Sequence, residues 1–234
     1  MKVGILGSGS VGRTLAAKVS GLVDHEVGIG TRDVAQLMAP KPSAPNEPEA
    51  FATWHSRYPQ VRVGSFRDIA TWAEVVFHAT NGAGALAALR LAGRDALSGK
   101  VVIDVANPLD FSRGFPPSLL VVNTDSLAEQ IQRELPDSRV VKSLNTVPAG
   151  LMVDPAGLAG GDHHIFVSGN DPGAKGEVIT ILRDWFGWTH IIDLGDITSA
   201  RGTEMYLALW VRLLGAVGGR PFNVRVVVND GEGS

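Results

Sequence analysis

Cysteine is absent from the 234 residues, which excludes disulfides, thiolate metal ligands and cysteine nucleophiles and leaves a cytoplasmic setting as the expectation. Charge of one sign is not in excess either. Lys and Arg number 21 against 24 Asp and Glu, a formal net charge of −3, so no whole-chain field points to nucleic acid or to an anionic membrane, and any basic site has to be local. Long apolar runs are missing as well. Val3 to Leu6 stops at Gly7, too short for a signal-peptide core, and the late segment MYLALWVRLLGAVGG is broken by Arg212 and falls short of the roughly 20 residues of a membrane span. There is no H-E-x-x-H spacing and no G-x-S-x-G nucleophile elbow. His163 and His164 are adjacent and would point to opposite faces of a strand, so no shared metal is expected.

What is present is a globular chain, 44% apolar, enough for one good-sized domain or one with an appended lobe. Short Val/Ile-rich runs at 2–6, 26–30, 61–64, 74–79, 100–105, 139–144, 164–168 and 189–193 alternate with helical patterns, the βαβ rhythm of a parallel sheet. VVIDVA and EVVFHAT are nearly continuous in apolar residues, as strands buried on both faces should be. APKPSAPNEP at 39–48 reads as an inserted surface loop. Phe51, Trp54 and Tyr58 recur at helical spacing and predict a short packed helix at 49–58. Further on, helices are expected at 172–186 and 199–217, then a strand-like run FNVRVVV and a frayed tail NDGEGS. The expected architecture is α/β: a Rossmann-type doubly wound parallel sheet at 1–146, with a small C-terminal α/β lobe at 147–234 completing a second-substrate cleft.

Gly7, Gly9 and Gly12 form G-x-G-x-x-G directly after the first strand and at the opening of a helix with Leu15, Ala16, Val19 and Leu22 on its apolar face. The first glycine allows a tight turn, the second lets backbone N–H groups approach a pyrophosphate, and the third lets helix and strand pack closely. Unpaired N–H groups and the helix macrodipole then favour an anion. About 20 residues on, a carboxylate would accept from the 2′-hydroxyl of NAD. The chain has none there: VGIGTRD offers Thr31 and Arg32, a hydroxyl and a planar donor fork suited to the 2′-phosphate of NADP, while Asp33 suits a helix N-cap.

Loops at the carboxyl ends of strands four to six should face the cofactor: ATNGAG (79–84), ANPLDFS (106–112) and LNTVPAG (144–150). They hold Asn, Thr, Gly and Pro but no evident acid or base of the kind hydroxy-acid oxidation uses, so no catalytic residue is assigned. His78, inside an apolar strand, reads as a satisfied core histidine. Arg201 and Glu204, three apart on a predicted helix, read as a surface pair. The apolar face of MYLALWVRLLGAV calls for a cover, by the chain's own body or by a second copy in a homodimer.

At these residues the chain resembles the coenzyme F420-dependent NADP oxidoreductases. The likeness runs in order through ILGSGSVG, GTRD, DVANPLDF, VVKSLNTVPAGLM, FVSGND and IIDLGDITSARGTEM, and covers most of the chain. In that family a Rossmann unit holds NADP(H) and a small lobe holds an 8-hydroxy-5-deazaflavin against the nicotinamide. The resemblance implies that Ser8, Gly9, Ser10 and Val11 hold the pyrophosphate, Thr31 and Arg32 the 2′-phosphate, and Thr80, Asn81 and Gly82 the nicotinamide half. Asn107, Pro108 and Leu109, with Asn145, Thr146 and Val147, would wall the junction between the rings. The same pattern is similar to the NADPH-binding domain of membrane ferric reductases, where hydride passes to a flavin. The expectation is an NADP(H)-dependent oxidoreductase passing hydride to coenzyme F420 or a flavin. The alternatives are reduction of a small imine or carbonyl, and an NADPH-sensing module without turnover.

Overall fold

The computed structural model describes residues 1–40 and 49–229. Most of the expected proline-rich loop, and all of the expected frayed tail beyond Asn229, lie outside the described residues.

Each of the eight expected runs is a strand: β1 (Lys2–Leu6), β2 (Glu26–Thr31), β3 (Arg62–Ser65), β4 (Val75–His78), β5 (Val101–Asp104), β8 (Arg139–Ser143), β9 (Ile165–Gly169) and β10 (Ile191–Asp193). Between β5 and β8 a short antiparallel ribbon pairs β6 (Leu109–Asp110) with β7 (Ser118–Leu119). The eight strands form one sheet in the order β10-β9-β8-β5-β4-β1-β2-β3. From β3 to β8 every pairing is parallel. β9 runs antiparallel to β8, so the sheet is mostly rather than wholly parallel. The reason lies in the connection, which is built from one short helix and 3₁₀ turns instead of a long crossover helix.

The helices are α1 (Ser10–Val19), α2 (Val34–Met38), α3 (Phe51–Arg57), α4 (Phe66–Trp72), α5 (Ala85–Ala92), α6 (Arg94–Leu97), α7 (Leu127–Glu134), α8 (Ala149–Val153), α9 (Pro172–Asp184), α10 (Ala200–Met205) and α11 (Leu207–Ala216). Successive strand residues alternate faces, and both faces are covered. Ile5, Ile29, Phe77, Ile103 and Val141 pack with Leu15 of α1, Met152 of α8 and Val178 of α9. Leu6, Val76, Val102 and Val140 pack with Ile69 of α4, Leu89 of α5 and Ile131 of α7. Fully burying a side chain of this kind contributes about 1.5–3 kcal/mol, which is why near-continuous apolar runs specify central strands.

Helix starts are set by short polar residues just past the strands. Asp33 accepts from the Gln36 N–H, as its N-cap position predicts, and Ser65 and Asp68 close a capping box on α4. Asp171 caps α9 ahead of Pro172, whose fixed φ suits the first helical position.

Three local expectations are corrected. The single late helix is two, α10 and α11, divided at Tyr206. FNVRVVV forms no strand: it meets the main chain through isolated bonds, such as His164 N–H to the Val224 carbonyl at 3.0 Å, without a ladder, and Val227 and Val228 are exposed. His163 and His164 precede β9, which begins at Ile165. His163 is buried, its ring edge-on to Trp188 at 5.1 Å and its Nε2 paired with the Pro155 carbonyl. In α3, Phe51 and Trp54 are buried, as a packing role predicts.

Candidate active site at the carboxyl edge of the sheet

The glycine loop joins β1 to α1 at the middle of the sheet, and its three glycines differ in what demands them. A Cβ on Gly7 would stand 2.4 Å from the Ala79 carbonyl oxygen, and one on Gly12 1.9 Å from the Gly7 carbonyl oxygen, so the fold itself requires both. Gly7 also has φ +128°, a conformation side chains disfavour. Gly9 is different. It adopts ordinary extended backbone, φ −74° and ψ −172°, and a Cβ there would meet nothing within 4 Å. Open space over the start of α1, where no side chain caps the helix, is a cradle that fits a pyrophosphate. Ser8 is half-buried with its carbonyl bound by Arg13 Nε at 2.9 Å, and Gly9 and Ser10 are exposed.

On one side of β1, β2 ends at Thr31, which is buried, and is followed by Arg32, which is exposed. Asp33 turns its carboxylate back to cap α2. Among the described residues no carboxylate pairs with Arg32, so this side fits a phosphate.

On the other side of β1, the loops after β4, β5 and β8 surround a cleft of ≈ 530 Å³. Val11, Thr80, Asn81, Gly82, Asn107, Leu109, Asn145 and Val147 all line it, with Met152 of α8 and Leu207 and Trp210 of α11. A Cβ on Gly82 would meet the Asn107 carbonyl oxygen at 2.1 Å, so the first two loops touch through a glycine. Asn145 ties the wall together: its Nδ2 donates to Asn107 Oδ1 and to the Thr203 carbonyl, both at 3.0 Å, and its own carbonyl accepts from Asn107 Nδ2 at 2.8 Å. The chain enters this loop through Leu144 at φ +61°, a left-handed position held by full burial of its side chain. Pro108 is buried behind the wall. Thr146 turns away from the cleft and lines a smaller cavity with Phe166, Leu194 and Tyr206.

Beneath the cleft lies an arrangement that sequence reasoning missed. His78, Asp104 and Lys142 stand side by side in register on β4, β5 and β8, each fully buried. His78 Nδ1 lies 2.9 Å from Asp104 Oδ1, and Lys142 Nζ lies 2.8 Å from Asp104 Oδ2 and 2.9 Å from Glu204 Oε1. Lys142 also donates to the Ala106 carbonyl. Glu204, on α10, accepts from the N–H groups of Leu127 and Ala128 at the start of α7. Burial alone would raise the Asp104 carboxyl, but the Lys142 ammonium and the His78 hydrogen bond outweigh it and bring it down to about 2. Burial works against the Lys142 charge too, and Asp104 and Glu204 overcome it, leaving its pKa raised.

The expected surface pair Arg201–Glu204 is therefore corrected. Glu204 is buried in the charged cluster, and Arg201 reaches across to α7, where its guanidinium takes both carboxylate oxygens of Glu129. His78 is a satisfied histidine, as expected, but a connected one: its Nε2 lies 2.7 Å from Oγ1 of Thr80, a residue that lines the cleft. A signal was there to find. VVFH (75–78), VVID (101–104) and RVVK (139–142) each carry a polar residue at the fourth position, behind apolar residues.

A family model for NADP oxidoreductases, coenzyme F420-dependent, matches residues 2–108. A solved structure from Arthrobacter sp. FB24, named as a candidate F420-dependent NADP reductase, is 51% identical over 97% of this chain and 100% of that one, with a TM-score of 0.91. The chain belongs to the coenzyme F420-dependent NADP oxidoreductase family. It shares the Rossmann-type fold of that family. The F420-dependent NADP reductase of Methanocaldococcus jannaschii is 31% identical over 51% of this chain. Metalloreductase STEAP3 of Rattus norvegicus is 30% identical over 91% of it. The chain spans 53% of the archaeal protein and 37% of the rat one. Among the described residues, no helix is long and apolar enough to cross a membrane.

Proposed function

We propose that this oxidoreductase passes hydride between the nicotinamide of NADP(H) and a flat flavin-like ring, foremost the 8-hydroxy-5-deazaflavin of coenzyme F420. The observation that carries the reading is the cleft, open to Val11 of the glycine loop and reaching Leu207 and Trp210 of α11, with Ala79, Val105, Val147, Pro148 and Met152 between. Such walls suit the face of a ring, and they leave the chemistry to orientation. The kinship with the Arthrobacter protein along its whole length supports the deazaflavin as that ring.

The dinucleotide supplies the hydride when bound. The residues of the chain hold it: Ser8 to Val11 and the first turn of α1 at the pyrophosphate, Thr31 and Arg32 at the 2′-phosphate, and Thr80, Asn81, Gly82 and Asn107 at the nicotinamide half. Pro108, Leu109, Asn145, Thr146 and Val147 build the wall toward the second ring, Pro108 and Thr146 from behind. Residues 1–146 are then the nucleotide-binding part, and 147–234 complete the second-substrate side through Met152, Leu207 and Trp210.

The test supplies NADPH with the deazaflavin, with FMN or FAD, and with a panel of small imines and carbonyls, and follows nicotinamide oxidation. Turnover is expected with the flavin-like rings, fastest with the deazaflavin. Val147→Trp should lower it by about 100-fold while NADPH still binds, since misplacement near 1 Å has that effect on an oriented reaction. Rapid turnover of a small carbonyl with none of any flavin-like ring would overturn the reading.

A further inference from the structure

The proposed hydride transfer leaves the buried chain behind Thr80 without a task, although the direction of each hydrogen in it follows from its fixed end. Asp104 is ionised, held so by the buried Lys142 ammonium 2.8 Å from Oδ2. An ionised carboxylate only accepts, so the His78 nitrogen facing it, Nδ1, carries a hydrogen. In the neutral imidazole Nε2 is then a lone pair, and its partner at 2.7 Å is the Thr80 hydroxyl, which must donate inward. Thr80 has one donor and has used it. Thr80 lines the cleft, and its hydroxyl oxygen keeps acceptor capacity alone.

The strand order says what meets that oxygen. Thr31 and Arg32 follow β2 on one side of β1, whereas Thr80 follows β4 on the other. With the pyrophosphate over the glycine loop, the adenosine half lies toward β2 and the nicotinamide half toward β4. Beyond its ribose, the nicotinamide has one hydrogen-bonding group, a carboxamide with a carbonyl and two N–H donors. Asn81 and Asn107 line the cleft too, but their side-chain oxygens already accept from the Gly84 N–H at 2.8 Å and from Asn145 Nδ2 at 3.0 Å, and Val11, Ala79 and Val105 are apolar, so the threonine oxygen is a scarce side-chain acceptor there.

We propose that Thr80, locked as an acceptor by His78 and Asp104, recognises the carboxamide N–H of the nicotinamide and so selects for a primary amide at that ring position. His78 and Asp104 act as positioning residues. The proposal rests on the NADP(H) assignment and adds the atom that reads the amide.

The experiment compares binding of NADP⁺ and of its 3-acetylpyridine analogue, in which methyl replaces the amide nitrogen, by calorimetry on the full chain. The wild-type protein is expected to prefer NADP⁺ by about 3- to 10-fold, the worth of one neutral hydrogen bond. Thr80→Val should weaken NADP⁺ by that factor and leave the analogue unchanged, erasing the preference, and Thr80→Ser should restore it. His78→Phe should narrow the preference too, because the freed hydroxyl can donate to the carbonyl that both ligands carry. If that variant does not fold, the Thr80 pair at its half-buried loop position still decides. Equal weakening of both ligands by Thr80→Val would overturn the proposal and leave the NADP(H) reading standing. Failure of the wild-type protein to bind either ligand would overturn both.

Discussion

Two places along the carboxyl edge of one sheet are built by opposite means. At β1 the working surface consists of side chains that are not there: Gly9 leaves open space over a helix start, framed by Gly7 and Gly12, which the backbone cannot replace. At β4, β5 and β8 it consists of side chains that have been driven inside, with His78, Asp104 and Lys142 buried in a row and Glu204 closing it from α10. The first place can lose its function without losing its fold. The second carries so much desolvated charge that fold and function are coupled.

The sharpest way to break the comparison is at Gly9. Because its φ and ψ suit any residue and its surroundings are empty, Gly9→Val should leave stability within about 0.5 kcal/mol, the range of ordinary surface changes, yet abolish binding of NADPH and NADH alike. Fluorescence titration beside thermal melting checks both halves, and a folded variant that binds normally would move the cofactor elsewhere.

At the other place the expected response is on stability. Lys142→Met leaves two buried carboxylates without their cation and should cost about 3–5 kcal/mol in denaturant unfolding. Its pH dependence sharpens the point. The Asp104 carboxyl titrates at about 2 in the folded chain against 3.8 ordinarily, so its contribution is fully present above that ordinary value and is lost as pH falls from there through about 2. Removing the ammonium should flatten the stability profile in that window.

A smaller effect is expected on cofactor choice. Arg32→Ala removes one charge-assisted contact worth about 1.5–3 kcal/mol, a loss of roughly 10- to 150-fold for NADPH with little change for NADH. An equal loss for both would separate Arg32 from the 2′-phosphate.

The same contrast explains what could be read from the chain alone. Gly7, Gly9 and Gly12 act on their neighbours, and Arg32 stands at a fixed interval from them, so spacing made that half of the candidate site legible. Central strands announce themselves because burial on both faces demands continuous apolar runs, and the edge strands β3 and β10, only partly covered, were legible from their Val and Ile residues. The buried row joins residues 26 and 38 positions apart, and what unites them is register between strands, a property of pairing rather than of sequence distance. His78 could be recognised as satisfied but not by what. Glu204 looked like half of a surface pair because helical spacing reports neighbours on one helix, and its partners come from β8 and α7. The reversal of β9 escaped for a related reason: an apolar run has no direction until its connection is known.

Glu204 has a consequence for how the molecule comes apart. It lies far along the chain, yet it terminates a charge that begins in the middle of the sheet and satisfies two amides at the start of α7. Were α10 to fray by itself, Lys142 would lose one of its two carboxylates and the first turn of α7 would lose its acceptor, all in a dry interior. Local opening there exposes unpaired charge and amides in the interior, so α10, α7, β5 and β8 constitute one cooperative unit of unfolding, with no low-energy route for α10 to detach first.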